Sequence, residues 1–118
     1  VSAPGVHMWT TDISGAGGYG GGDYISTFNG TSSSTPLVAG TAALLLSQNP
    51  GWTPTQVRNR LQSTADDKGA PGFDTRFGHG RLNACKALGG TCTTGTGTCS
   101  TIASVNQPQP AEIPVKTW

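Results

Sequence analysis

From Ser32 to Gln48 the chain carries no acidic or basic residue. Val38, Ala39, Ala42, Ala43, Leu45 and Leu46 recur at helical spacing, and small residues fill nearly every other side. That pattern predicts a helix buried on most of its surface. Pro36 can sit in the first turn, where its missing N–H costs little, and Asn49-Pro50-Gly51 ends the run. A helix of this kind needs a core to enter, and the chain has little to offer. Leu, Ile, Val and Phe together number 20 of 118 residues, against 53 of Gly, Ser, Thr and Pro. Such a core is thin for the length. Disorder is not the alternative, because Lys+Arg (7) and Asp+Glu (6) nearly cancel. The sequence opens at Val1 and its only methionine is Met8. The expectation is a piece of a larger domain.

Around the charge-free segment the organisation is legible. Val1 to Thr11 reads as extended, with a turn at Pro4-Gly5. Asp12 to Asp23 is a glycine-rich loop, and Tyr24 to Phe28 alternates as a short strand. Thr53-Pro54-Thr55-Gln56 fits a capping box, with Thr53 as N-cap and Gln56 reaching back. The helix it opens should run to about Thr64, with Val57 and Leu61 inward and Arg58 and Gln62 toward water. Residues 65–80 read as a polar loop anchored by Phe73 and Phe77, and Asn83 should cap a short helix ending near Leu88. Residues 89–118, rich in Gly, Thr and Pro, read as a linker or extension with little core.

Several classes drop out. A net charge of +1 leaves no electrostatic footprint for nucleic acid or an anionic membrane. The longest apolar stretch, Leu37 to Leu46, is broken by Gly40 and Thr41 and falls short of the roughly 20 residues of a membrane helix. Cys85, Cys92 and Cys99 lack the CxxC pairs and nearby histidines of a zinc site. Their odd count leaves at least one unpaired within the chain.

The chemistry concentrates at residues 29–40. A loop with a glycine leads into the start of the charge-free helix. A serine there stands at the positive end of the helix dipole, beside unpaired backbone N–H groups. That environment suits an acyl-transfer nucleophile, because negative charge develops on an oxygen beside it. Taken alone, such a serine is more often an ordinary N-cap.

The segment resembles the nucleophile motif of subtilisin-like serine proteases, Gly-Thr-Ser-x-x-x-Pro-x-Val-Ala-Gly, at every fixed position from Gly30 to Gly40. Ser2-Ala3-Pro4-Gly5 resembles the strand preceding that loop. Thr53 to Arg58, with Leu61 and Thr64-Ala65, resembles the next helix, and Phe77-Gly78-His79-Gly80-Arg81-Leu82-Asn83-Ala84 the closing segment. The likeness covers residues 1–88. It implies an α/β fold with a mainly parallel sheet and flanking helices, of which this chain supplies the C-terminal third. It implies a serine endopeptidase acting on proteins or peptides through Ser32, whose own N–H is one oxyanion donor. Gly30 and Thr31 would shape the turn, Pro36 would set the first helical turn, and Gly40 would allow close packing behind the site. Ser33, Ser34, Leu37 and Asn29 depart from commoner residues without touching the reacting hydroxyl.

The motifs for the catalytic Asp, His and oxyanion Asn are not in these 118 residues. The rest of its own catalytic domain is therefore the implied partner, and the isolated chain is expected to be inactive. A degenerate homologue that binds rather than cleaves is the alternative. His7 and His79 fall outside the base position and read as loop histidines. The order Ser32, Asp74, His79 mimics an α/β-hydrolase, but Ser34 stands where that elbow needs glycine. Gly15 to Gly20 satisfies G-x-G-x-x-G with no helix after it. The sequon Asn29-Gly30-Thr31 lies on the nucleophile loop and reads as chance, and Asp66-Asp67 as a solvated helix-end pair. No cofactor or metal site is assigned in this chain; the resemblance allows calcium in the complete protein. It also implies a secreted protein, in which Cys85 could pair with Cys92 or Cys99, or Cys92 with Cys99.

Overall fold

The structure, a computed structural model, describes residues 1–92 together with Cys99 and Ser100, with side chains described as far as Thr91. Most of the tail read as a linker lies outside the described residues. Strand β1 (Met8–Thr11) and strand β2 (Tyr24–Phe28) precede three helices: α1 (Thr31–Gln48), α2 (Pro54–Ser63) and α3 (Ala84–Ala87). Strands β3 (Thr91–Cys92) and β4 (Cys99–Ser100) follow.

Helix α2 begins as its sequence predicts. Thr53 Oγ1 accepts the Gln56 N–H at 3.3 Å, and Gln56 Oε1 accepts the Thr53 N–H at 2.8 Å. Both ends of the box are thus satisfied. Thr53→Ala should cost about 1 kcal/mol in the urea unfolding of the full-length protein, since it removes one acceptor and the anchor of the other. Asn83 caps α3 by accepting the Lys86 N–H at 3.0 Å.

The core lies where these helices meet. Leu45, Val57, Leu61 and Ala87 are buried, and Val38, Ala42, Trp52, Leu82 and Leu88 pack around them. Helix α1 departs from the sequence expectation in two ways. It is buried along one stripe rather than on most sides: Leu37, Leu44 and Leu46 keep 37%, 45% and 41% of their surface exposed. Among the described residues the apolar cover comes from α2, α3 and the flanking Trp52, Leu82 and Leu88, so the other faces of this charge-free helix stay bare. An apolar groove of about 410 Å³ opens beside it, between Val38, Ala42 and Leu46 of α1 and Trp52, Val57 and Leu61. The second departure is Pro36, which is the sixth helical residue and not in the first turn. The helix starts at Thr31, so the proline removes the hydrogen bond that the Ser32 carbonyl would otherwise receive.

The described ladders are antiparallel. In β1–β2 Met8 faces Phe28, Thr10 faces Ile25 and Thr11 faces Tyr24, with an irregularity between Met8 and Thr10. In β3–β4 Cys92 faces Cys99. The one parallel contact among the described residues is an isolated bridge, Ser2 to Arg81. The expected mainly parallel sheet is not found in this part. Parallel neighbours need long crossovers, whereas β1 and β2 are joined by one loop and close as a hairpin. Asp12 organises that loop, accepting the Ile13 N–H at 2.9 Å and the Gly20 N–H at 3.0 Å. Its G-x-G-x-x-G stretch forms a short 3₁₀ turn at Gly15–Gly17.

A second seam ties the N-terminus to the closing segment. The Ser2 N–H donates to Gly80 O at 2.9 Å and the Leu82 N–H to Ser2 O at 2.8 Å. Asp66 and Arg81 exchange two backbone bonds of 2.8 Å. The Asp66 carboxylate then gathers Lys86, Arg81 (3.5 Å) and the Asn83 amide (3.1 Å). Asp66 is therefore no solvated helix-end residue, because the chain returns at residues 81–86 to surround it. The hydrogen bond from Lys86, then those from Asn83 and Arg81, hold its carboxyl below the ordinary aspartate value against the opposing effect of burial. A depressed folded pKa contributes stability above the unfolded value of about 3.9 and loses it as pH falls through the folded one. Acid unfolding of the full-length protein should accordingly steepen below about pH 4. Asp66→Asn should flatten that limb, as read by the urea midpoint at several pH values.

Phe77 is half-buried as an anchor should be, but Phe73 is 69% exposed and rests edge-on against His79 at 5.1 Å. Asp74 accepts the N–H groups of Phe77 and Arg76, each at 2.7 Å, which closes the turn and lowers its pKa.

Candidate active site

Ser32 is exposed at the second residue of α1. Gly30 is the N-cap, with φ 124° and ψ 173°, a conformation essentially restricted to glycine. That choice turns the chain sharply out of β2 and into the helix. The N–H groups of Thr31 and Ser32 belong to the first helical turn, which has no intrahelical acceptors for them. The neighbouring hydroxyls do not compete for these donors. Ser33 Oγ donates to Gly30 O at 2.7 Å and Thr35 Oγ1 to Thr31 O at 2.8 Å. The first turn of α1 contains no acidic residue, so the partial positive charge of an 18-residue helix is not offset there. The Ser32 hydroxyl makes no hydrogen bond among the described residues.

The segment Ala3-Pro4-Gly5 lies against this turn. The Gly30 N–H donates to Gly5 O at 2.7 Å. A Cβ on Gly5 would come within 2.8 Å of Gly30 O and 2.3 Å of Ser34 Oγ, so glycine is required by the closeness of the two chains. Gly40 has no such close neighbour among the described residues. A Cβ there would meet open space, because its face of α1 is bare among the described residues.

Neither histidine ring joins Ser32. His79 lies on the closing loop against Phe73. His7 engages the site only through its backbone N–H, which donates to Asn29 Oδ1 at 2.7 Å. The sequence gives no sign of that bond, since its partners stand 22 residues apart. Cys85 is disulfide-bonded, and the side chains of Cys92 and Cys99 lie outside the described residues.

The description of the matching family model is Subtilase family, and it covers residues 1–80. The chain belongs to this family. A subtilisin of Bacillus pumilus is 46% identical over 83 residues, which are 70% of this chain and 26% of that protein. The alkaline elastase YaB of Bacillus sp. (strain YaB) is 43% identical over 84 residues, 71% of this chain and 19% of the relative. Among solved structures, fervidolysin from Fervidobacterium pennivorans, a keratinolytic enzyme related to subtilisin, superposes with a TM-score of 0.62 at 31% identity, covering 77% of this chain and 15% of its own. The psychrophilic subtilisin-like protease Apa1 of Pseudoalteromonas sp. AS-11 gives 0.54 at 44% identity, covering 58% and 15%. This subtilase chain thus has a subtilisin-like fold and spans about a quarter or less of the relatives it matches.

Proposed function

We propose that the full-length protein is a serine endopeptidase and that Ser32 is its nucleophile. The observation that carries this is the presentation of Ser32: an exposed hydroxyl at the second residue of α1, behind a glycine at φ 124°, within a subtilase match. Ser32 Oγ attacks the scissile carbonyl carbon and gives its proton to a base. The tetrahedral oxyanion takes a hydrogen bond from the Ser32 N–H, in the field of the α1 dipole. Collapse expels the amine, which receives the proton, and leaves an ester on Ser32 that water hydrolyses. The base, its carboxylate partner and the second oxyanion donor belong to sequence outside these 118 residues.

Proteins or peptides are the substrates, and the compartment is extracellular, in keeping with the disulfide at Cys85. Labelling of the full-length protein with a fluorophosphonate, followed by peptide mapping, should place the adduct on Ser32. An adduct elsewhere would overturn the assignment of Ser32, and an unlabelled protein would overturn it in favour of a non-catalytic homologue.

A further inference from the structure

We infer that the backbone N–H of His7 and the side chain of Asn29 form a positioning clasp that sets the direction of Ser32; this rests on Ser32 being the nucleophile. His7 has φ 53° and is the only non-glycine residue with positive φ among the described residues. For a histidine that conformation costs roughly 1 kcal/mol. It persists because it turns the His7 N–H onto Asn29 Oδ1, 2.7 Å away. Asn29 immediately precedes Gly30, and Gly30 is the softest link of the nucleophile turn, having no Cβ to restrict it.

Three ties hold that link to the same upstream strand: Gly30 N–H to Gly5 O, His7 N–H to Asn29 Oδ1, and the Met8–Phe28 pairing. The first and third are backbone-to-backbone interactions, the first needing Gly5 for its close approach. The clasp alone depends on a side chain, so it alone can be removed without rebuilding the backbone. It stands on the strand side of Gly30 and opposes rotation of the turn about that glycine. Neither His7 nor Asn29 touches substrate in this scheme. They act through the placement of Ser32, and a displacement of a fraction of an ångström there costs rate more than affinity.

The test uses the full-length protein with Asn29→Ala and Asn29→Asp. Asn29→Ala should slow fluorophosphonate labelling roughly tenfold and lower kcat by a similar factor, with KM within about twofold. Asn29→Asp keeps an acceptor oxygen and should restore most of the labelling rate. Amide hydrogen exchange over residues 29–33 should accelerate in the alanine variant and return toward wild type in the aspartate variant. A wild-type labelling rate in Asn29→Ala would overturn the clasp, and so would equal slowing by both variants. A wild-type protein that does not label at all would overturn the nucleophile instead. The exchange measurement still judges the clasp in that case, and unchanged exchange in Asn29→Ala would refute it.

Discussion

Ser32→Ala in the full-length protein is expected to abolish fluorophosphonate labelling and to lower kcat by about 10⁶-fold, the order of magnitude for removing the nucleophile of a serine protease triad. The fold should survive the change. Ser32 is exposed, and its hydroxyl has no partner among the described residues, so removing it costs no packing and no internal hydrogen bond. Its N–H and the helix dipole remain, which predicts weak residual turnover rather than none. The decisive comparison is kcat against Tm. A fall in kcat with Tm within about a degree assigns the loss to chemistry. Unimpaired proteolysis would falsify the role of Ser32 outright.

The largest effect on stability should come from Gly80→Ala. Gly80 is buried at φ 110°, where an L side chain is strained whatever the space. There is also no space. A Cβ would fall 2.3 Å from Asp66 O, 2.7 Å from its carbonyl carbon and 2.9 Å from the Asp67 Cα. All three are backbone atoms in the segment that exchanges hydrogen bonds with Arg81, so no rotamer change relieves the overlap. Strain and overlap together should cost about 2–5 kcal/mol. The Ser2–Gly80 and Asp66–Arg81 bonds should weaken together, which hydrogen exchange at Ser2 and Arg81 would show. An unchanged urea midpoint in Gly80→Ala would mean that this seam does not hold the full-length protein together.

Gly80 also marks how far the sequence could be read. Its place in the closing segment was visible, but its reason was not, because Asp66 stands 14 positions away and the contact exists only after the chain returns. The same holds for Asp66, whose three partners lie at residues 81–86 and which looked like half of a solvated pair. The helix caps are the opposite case. Thr53–Gln56 and Asn83–Lys86 close within one turn, so local chemistry was enough to find them. Pro36 fell between these cases. The start of α1 at Thr31 puts it beyond the first turn, and helix starts are poorly marked where Thr31, Ser32, Ser33 and Ser34 are all capable caps.

The charge-free run from Ser32 to Gln48 by itself determined a helix through its spacing, while the resemblance of residues 30–40 to the family motif, not the run, singled out Ser32 among three neighbouring serines. The four motif segments in order determined the family. What only the tertiary structure decided is how that serine is held. The turn is set by Gly5 against Gly30, by His7 at positive φ and by the bond to Asn29, all between segments more than 20 residues apart. Spacing along a chain reports contacts within a helical turn or along a strand. It does not report contacts made by folding back, because their distance in sequence carries no period.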